Sequence, residues 1–178
     1  MKSKREENSN FLRKCMAEAL IKLMMEKPVE KITAQEIATL ADVGRATWFR
    51  LFHTKEEAIT WYIVTILNDY VKANGYETQI PTDDENSVLF YNFNYINKEL
   101  MKVIYKQGMK YTVYEAYYKL LNNSVSSDVL VGYVANTTAY AIVGMIDEWI
   151  RRDFKATPEE LINLMKITKE NSNSNSYF

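Results

Sequence analysis

The sequence has a single cysteine, Cys15, and a single histidine, His53. One cysteine cannot form an intrachain disulfide, and this usage is typical of proteins in the reducing cytoplasm. One histidine and one cysteine also provide no metal-ligand cluster, no Cys–His pair and no catalytic triad. We therefore expect a cytoplasmic protein that is not an enzyme, with no catalytic residues, no metal and no cofactor.

Glycine and proline are also scarce, at five and three of 178 residues. Strands joined by tight turns need more of both, so the composition favours long helices and predicts an all-α fold.

The charged segment 1–10 lacks the apolar core of a signal peptide. Residues 129–146 contain no charge and reach the lower length limit of a membrane span. Because Asn136 and two threonines occupy its centre, we predict a helix buried on two sides and no membrane partner; a membrane span is the minor alternative.

Helix-start signals divide the chain into a series of predicted helices. A threonine followed three residues later by a glutamate forms a capping box, and this pattern begins at Thr33, Thr54 and Thr157. Gly75 is placed to end a helix in the left-handed conformation. The predicted helices span residues 9–26, 33–40, 44–51, 54–74, 86–106, 109–123, 127–153 and 157–168.

These helices form two predicted units and a tail. Residues 1–53 are predicted to form a head that contains a helix-turn-helix, and residues 54–170 a helical body for effector binding and dimerisation. The Asn- and Ser-rich residues 171–178 are predicted to be disordered. In the first helix, the core-facing stripe is predicted at helical spacing from four residues, Leu12, Cys15, Ala19 and Leu23.

The segment 33–52 has the pattern of a helix-turn-helix. Its first helix begins at Thr33, and Ala38 is small enough for two helices to cross closely. Residues 42–44 form the turn, and a short second helix follows from Arg45. In a helix-turn-helix the second helix enters the major groove, and its N-terminal end meets the base edges.

The side chains of the second helix suit this task. Arg45 can reach a guanine edge or a phosphate, and Thr47 can contact a phosphate or a thymine methyl group. Lys55 lies at the N-terminus of the next helix, where its ammonium and the backbone N–H groups can converge on one phosphate. A helix N-terminus is otherwise an unfavourable place for a cation.

Residues 10–60 resemble the N-terminal domain of TetR-type transcriptional regulators. The resemblance rests on the segments Ile32-Thr33, Glu36-Ile37-Ala38, Ala41-Asp42-Val43-Gly44-Arg45-Ala46-Thr47-Trp48-Phe49, Phe52 and Thr54-Lys55-Glu56-Glu57-Ala58-Ile59. It implies a three-helix DNA-binding head and a helix that links the head to a ligand-binding body. In the body the similarity is limited to the helix count and to residues 144–150. The DNA-binding candidates are Thr33, Arg45, Ala46, Thr47, Trp48, Phe49, Arg50 and Lys55.

Four positions depart from the family pattern. Asp42 replaces the usual glycine of the turn, and Gly44 replaces a serine that often caps the second helix. Phe49 replaces a tyrosine whose hydroxyl reaches a phosphate in the family, so that contact is not available here. Trp48 replaces a smaller side chain, and it either packs beneath the helix, which we favour, or touches the sugar-phosphate edge.

The body is rich in aromatic residues, because most of the 13 tyrosines fall within its predicted helices. Two interpretations are open. The rings either fill an ordinary core, or they line an inducer cavity in which a few hydroxyl groups orient a small molecule. The candidate wall residues of such a cavity are Phe90, Phe93, Tyr114, Tyr117, Tyr118 and Tyr140.

The last two helices are predicted to form a dimer interface. Helix 127–153 is apolar nearly all round, so one side must be buried in the body and another elsewhere. Gly132 and Gly144 would allow a close approach of helices. Paired heads in a two-fold dimer also match palindromic half-sites. The interface candidates are Tyr133, Gly144, Trp149, Leu161, Leu164 and Met165.

The sequence as a whole predicts a ligand-responsive repressor that binds a palindromic operator as a homodimer. Residues 1–56 carry 11 Lys and Arg against 8 Asp and Glu, whereas residues 57–178 carry 11 against 15. A basic front and an acidic body fit a nucleic-acid surface at one end. The predicted partners are an operator in double-stranded DNA, a second copy of the chain and a small-molecule inducer. The alternative is a coactivator or adaptor of the same fold that binds a protein instead of an operator.

Overall fold

The computed structural model describes residues 4–76, 87–122 and 129–174, and in these ranges the regular structure is entirely helical. The helices are α1 Lys4–Glu26, α2 Ala34–Leu40, α3 Arg45–Leu51, α4 Lys55–Ala73, α5 Ser87–Ile96, α6 Lys98–Lys106, α7 Lys110–Leu121, α8 Val129–Arg151 and α9 Pro158–Ser174. A short 3-10 helix, Val29–Lys31, follows α1. The predicted all-α fold, with an N-terminal helix-turn-helix head and a helical body, is confirmed.

The predicted helix starts carry the expected caps. At Thr33 the capping box is complete: its hydroxyl accepts from the Glu36 N–H at 3.2 Å, and its own N–H donates to the Glu36 carboxylate at 2.9 Å. Thr157 and Glu160 make the same pair of bonds. Thr54 caps α4 through its hydroxyl, but the Glu57 carboxylate accepts from the N–H of His53 instead.

Several helix bounds differ from the prediction. Where one helix was predicted over 86–106, the described residues form two, α5 and α6, with Asn97 between them. The side chain of Asn97 donates to the Phe93 carbonyl at 2.8 Å. The helix predicted over 157–168 continues to Ser174, four residues into the segment expected to be disordered. Residues 77–86, 123–128 and 175–178, on which other predicted ends fall, lie outside the described ranges.

The buried face of α1 is rotated from the predicted stripe. Met16, Leu20 and Met24 are its most buried large side chains, at a spacing of four residues. Of the predicted stripe, Ala19 is buried, whereas Leu12, Cys15 and Leu23 are half-buried. The long side chains of this face join the head to the body, because α1 packs against α2, α3, α4 and also α6.

In the body, α7 is the central helix, and it packs against both α4 and α8. Its Val113 and Tyr117 are fully buried, as are Ile63 and Leu67 of α4. These side chains belong to one continuous core that extends from the head into the body. The core therefore connects α4, the helix that follows the helix-turn-helix, to the centre of the body.

Helix α8 has one buried and one exposed apolar face. Ala135, Ala139 and Ile146 point into the protomer. The opposite face exposes large apolar side chains, namely Val129, Leu130, Tyr133, Val134 and Tyr140. By length and composition alone α8 could cross a membrane, and 17% of its most apolar stretch of 18 residues is buried within the protomer. Within the protomer, therefore, α8 is buried on one side rather than on two.

Candidate nucleic-acid interface

The turn between α2 and α3 is closed by backbone hydrogen bonds. The N–H of Val43 donates to the Ala38 carbonyl at 2.9 Å, and the N–H of Asp42 donates to Thr39 at 3.2 Å. Asp42 adopts a φ of +54°, the left-handed conformation in which the family has glycine and which aspartate tolerates better than most residues. Gly44 begins α3 without a side-chain cap, as its lack of a side chain requires.

Helix α3 separates an outward face from an inward one. Arg45, Ala46, Phe49 and Arg50 are exposed, and Thr47 is half-buried. The Arg45 guanidinium lies over the Phe49 ring, 5.4 Å from its centroid, which is a cation–π contact one helical turn apart. Phe49, 54% exposed, therefore lies beneath the guanidinium of an arginine in the first turn of α3.

Trp48 lies on the inward face and is only 4% exposed. Its ring centroid is 5.5 Å from that of Phe52, which in turn lies 6.0 Å from Trp61 on α4. The guanidinium of Arg13, on α1, covers Phe52 and Trp61 at 5.8 and 5.9 Å. Of the two interpretations of Trp48, the structure places the ring in packing, because burial leaves too little surface for a phosphate edge.

Lys55, expected to meet a phosphate, is bonded to the 3-10 helix Val29–Lys31. Its Nζ donates to the Val29 carbonyl at 2.6 Å. An ammonium has three donors, so two remain for another acceptor. Helix α4 begins at this residue, and the Thr54 hydroxyl occupies one of its N-terminal N–H groups, that of Glu57.

An ion pair that the sequence did not indicate fixes the start of α2. The Lys27 ammonium contacts the Glu36 carboxylate, which also accepts from the Thr33 N–H and hydroxyl. These contacts, that of Lys27 foremost, lower the pKa of Glu36 from 4.5 to about 2. The partners are nine residues apart across a loop, a separation for which no sequence pattern predicts contact.

The six aromatic candidates of the body form separate groups. Phe90 and Tyr117 pack at 5.7 Å, Phe93 packs on Tyr70 of α4, and three tyrosines cluster between α7 and α8. In that last group the Tyr114 ring lies 5.9 Å from Tyr118 and 4.4 Å from Tyr140. Two clefts among the described residues, of about 310 and 420 Å³, lie at the α1–α6 junction and between α1 and α4, away from all six.

Next to Tyr117 lies a buried polar group that the sequence analysis did not single out. The amide nitrogen of Asn94 donates to the Phe90 carbonyl and to the Tyr117 hydroxyl, at 2.7 and 2.6 Å. The Asn94 oxygen is buried and has no hydrogen-bond partner. Burial raises the pKa of Tyr117, so its hydroxyl keeps a proton to donate. In the described ranges no cluster of three metal-binding side chains is found.

The dimer candidates fall into three groups. Tyr133 is 68% exposed, Leu164 is 58% exposed, and Gly144 is also on the surface. Leu161 is half-buried against the core, whereas Trp149 is only 2% exposed. The Trp149 indole donates to the Ala156 carbonyl at 2.9 Å, so this ring is used within the protomer rather than on its surface. The side chain of Met165 lies outside the described part of the chain.

A family model of the TetR type, described as "Transcriptional regulator C-terminal region", matches residues 84–171. The chain is a TetR-family transcriptional regulator. The matched region covers most of the predicted body, where the sequence resemblance was limited to the helix count and to residues 144–150. The sequence resemblance lies in residues 10–60 and the family-model match in residues 84–171, so the two indicate the same family from different parts of the chain.

Among solved structures, this TetR-family chain is similar to the crystal structure of Lin0861 from Listeria innocua. The TM-score is 0.75, and the match covers 96% of this chain and 95% of that one at 17% identity. At this identity the likeness shows a shared fold and nothing more about function. A comparison with curated proteins found no match.

Proposed function

We propose that this TetR-family regulator acts in the cytoplasm, binds a palindromic operator in double-stranded DNA as a homodimer, and represses transcription until a small-molecule inducer releases it. Residues 1–53 would be the DNA-binding head, and residues 54–170 the effector-binding and dimerisation body. No catalytic residue, metal, cofactor or membrane takes part. The observation that carries the proposal is the two-faced helix α3, which exposes Arg45 and Arg50 and buries Trp48 and Leu51.

The exposed face of α3 has the chemistry of base reading. Arg45 lies in the first turn, the part of a recognition helix that meets base edges in the major groove. Phe49 restricts the Arg45 guanidinium by lying 5.4 Å beneath it, which lowers the entropy lost on binding. Thr33, Ala46, Thr47 and Arg50 are the flanking contacts in this proposal, and Lys55 contributes a phosphate contact with its remaining donors.

A dimer would cover the exposed apolar face of α8. Tyr133, Tyr140 and Gly144 recur at helical spacing along that face, and Leu164 of α9 exposes a further apolar side chain. A Cβ added at Gly144 would meet no atom within 4 Å, so the protomer itself does not require a glycine there. Across a two-fold axis the missing side chain would let a partner helix approach closely. An exposed apolar surface of this kind is typical of an interface.

The body supports response to a small, uncharged ligand. Asn94 offers a buried acceptor without a partner, Tyr117 offers a hydroxyl proton, and the Phe90 ring packs against Tyr117. A buried polar group of this kind is satisfied by a water molecule or by a polar atom of a ligand. A ligand that prefers one arrangement of α4 would shift the population of head spacings and thereby change operator affinity.

Selection of genomic fragments on the purified protein tests the DNA-binding proposal. We expect recovery of one palindromic sequence. Arg45→Ala should lose about five- to 150-fold in affinity for that sequence, since a bidentate base contact contributes about 1–3 kcal/mol. The matched control is Arg152→Ala, which removes an exposed arginine of the body. Recovery of no palindrome, together with capture of a defined protein partner, would favour the coactivator alternative.

A further inference from the structure

The side chain of Gln107 connects the body to the end of α1. Its Nε2 donates to the carbonyls of Met24 and Lys27 at 2.6 and 3.1 Å, and its Oε1 accepts from the Val29 N–H at 2.9 Å. Gln107 is 83 residues from Met24 in the chain, at the end of α6. One amide group thus uses both of its donors and one acceptor on backbone atoms of the head.

Pro28 leaves the Met24 carbonyl without its helical donor, and Gln107 supplies one. In a continuous helix the carbonyl of Met24 would accept from the N–H of residue 28, but residue 28 is a proline and has no N–H. The orphan acceptor therefore needs a donor from elsewhere, and the Gln107 amide supplies it. The two other groups it bonds, the Lys27 carbonyl and the Val29 N–H, belong to the same helix-to-helix junction.

Gln107 is itself rigidly placed. Gly108 follows it with a φ of +72°, and the N–H groups of Gly108 and Met109 donate to the Tyr105 and Ile104 carbonyls, both at 3.0 Å. This pair of bonds is the Schellman arrangement that ends a helix. Met109 is buried, so the turn that carries Gln107 is anchored in the body core.

From Gln107 the contacts continue to the helix-turn-helix. The Val29 carbonyl accepts from Lys55 at 2.6 Å. The N–H of Val29 is therefore bonded by Gln107 at the end of α6, and its carbonyl by Lys55 at the start of α4. The Lys27 side chain pairs with Glu36, which completes the capping box at the start of α2. The orientation of α2 is thereby tied to the end of α6.

We propose that Gln107 is the positioning residue that fixes the head on the body and so sets which half-site spacing the dimer accepts. The proposal rests on the proposed binding of a palindromic operator. The cleft of about 310 Å³ beside Gln107 is open to solvent, so water can hydrate the backbone groups when the amide is removed. Loss of the amide should therefore leave the protein folded, with the shared core still joining head and body. The end of α1 would no longer be tied to the end of α6, so the head could change its orientation on the body.

The test measures affinity for a series of operators in which the spacer between half-sites is lengthened or shortened by one and two base pairs. Gln107→Ala should reduce the preference for the natural spacer roughly tenfold, as loss of the bonds that hold the head would allow. A merely destabilised protein would lose affinity for all spacers equally, because an unfolded fraction cancels in the ratio. An unchanged ratio would overturn the proposal.

Lys106→Ala is the matched control, because Lys106 lines the same cleft at the preceding position, and its spacer preference should equal that of the wild type. Gln107→Glu is the second variant. It retains an acceptor for the Val29 N–H but turns a carboxylate towards two carbonyl oxygens, so it should lose the preference as the alanine variant does.

Hydrogen exchange on the protein without DNA tests the structural role of Gln107 separately from the proposed binding of an operator. The Val29 amide should exchange at least about tenfold faster in Gln107→Ala than in the wild type or Lys106→Ala, since its acceptor is gone. Unchanged exchange would overturn the role of Gln107 even where no operator is found. Faster exchange without any operator would instead contradict the proposed function, and with it the effect on half-site spacing.

Discussion

The Nζ of Lys55 lies 2.6 Å from the carbonyl oxygen of Val29 and donates a hydrogen bond to it. The bond joins the first residue of α4 to the 3-10 helix that precedes α2. A cation at a helix N-terminus is unfavourable for the helix itself. The ammonium of Lys55 instead makes a favourable contact outside α4. In the free protein, that contact is structural.

Lys55→Ala should therefore have two separable effects. The free energy of unfolding should fall by about 1–2 kcal/mol, because a partly buried bond from a charged donor is lost. The slope of log affinity for DNA against log salt should fall by about 0.9 if the remaining donors also meet a phosphate. Urea unfolding and salt titration measure the two effects, with Lys22→Ala, at an exposed position of α1, as the control. A lowered stability with an unchanged slope would remove Lys55 from the DNA contacts.

The head is the part of the chain that sequence reasoning describes best. Caps and turns depend on residues a few positions apart, so Thr33 and the left-handed Asp42 could be predicted from local chemistry. The inward packing of Trp48 could only be favoured, because burial depends on Phe52 and on what lies beneath it. The contact between Lys27 and Glu36 depends on the path of a loop, which periodicity does not describe.

Phe49→Tyr should tighten binding to the operator. The exposed ring of Phe49 occupies the position at which the family tyrosine reaches a phosphate, and the added hydroxyl would restore that contact. A single hydrogen bond contributes about 0.5–1.5 kcal/mol, which corresponds to a gain of about two- to tenfold. Stability should not change, because the ring remains beneath Arg45. Fluorescence anisotropy at one fixed salt concentration measures the gain, and Phe49→Leu, which loses the ring, should weaken binding instead. Equal affinity of the tyrosine variant and wild type would show that no phosphate lies within its reach.

Glu36 should make the stability of the head depend on acid pH. Its pKa in the folded state is about 2, below the usual 4.5, so the carboxylate stabilises the fold above the unfolded-state pKa. That stabilisation is lost as the pH falls from about 5 towards 2. Glu36→Gln should consequently be less stable than the wild type at neutral pH, and the difference should shrink across this window.

Urea midpoints at neutral and acid pH measure that difference. Glu56→Gln, which removes another exposed carboxylate from the first turn of a helix, is the control. Other carboxylates also titrate in this range, so the decisive quantity is the difference between each variant and the wild type. A Glu36 difference that stays constant with pH would contradict the assigned contact with Lys27.

In the body, sequence reasoning recovers the helices but not their junctions. No helix-stop signal marks the break at Asn97, and the role of Gln107 depends on Pro28, which lies far away in the chain between α1 and the 3-10 helix. Trp149 has an apolar ring whether it faces a partner or the core, and only the position of Phe154 and Ala156 decides that it faces the core. The pattern of apolar residues indicates which helix faces are buried, but not whether the same protomer or a partner buries them.

Tyr133→Lys should prevent dimer formation. Tyr133 is among the most exposed aromatic residues of α8, and a lysine there would place an unpaired charge within the proposed interface. A buried unpaired charge costs several kcal/mol, so the dissociation constant should rise at least about a hundredfold. Sedimentation velocity at micromolar concentration should then find a dimer for the wild type and a monomer for the variant, with unchanged helical content.

Phe11→Lys is the control for that experiment, because it introduces the same charge at an equally exposed aromatic position on α1. It should remain a dimer. A wild-type monomer at micromolar concentration would contradict the interface assigned to α8 and α9. If instead the wild type and Tyr133→Lys were both dimers, the interface would lie on another face, and the apolar surface of α8 would require a different occupant.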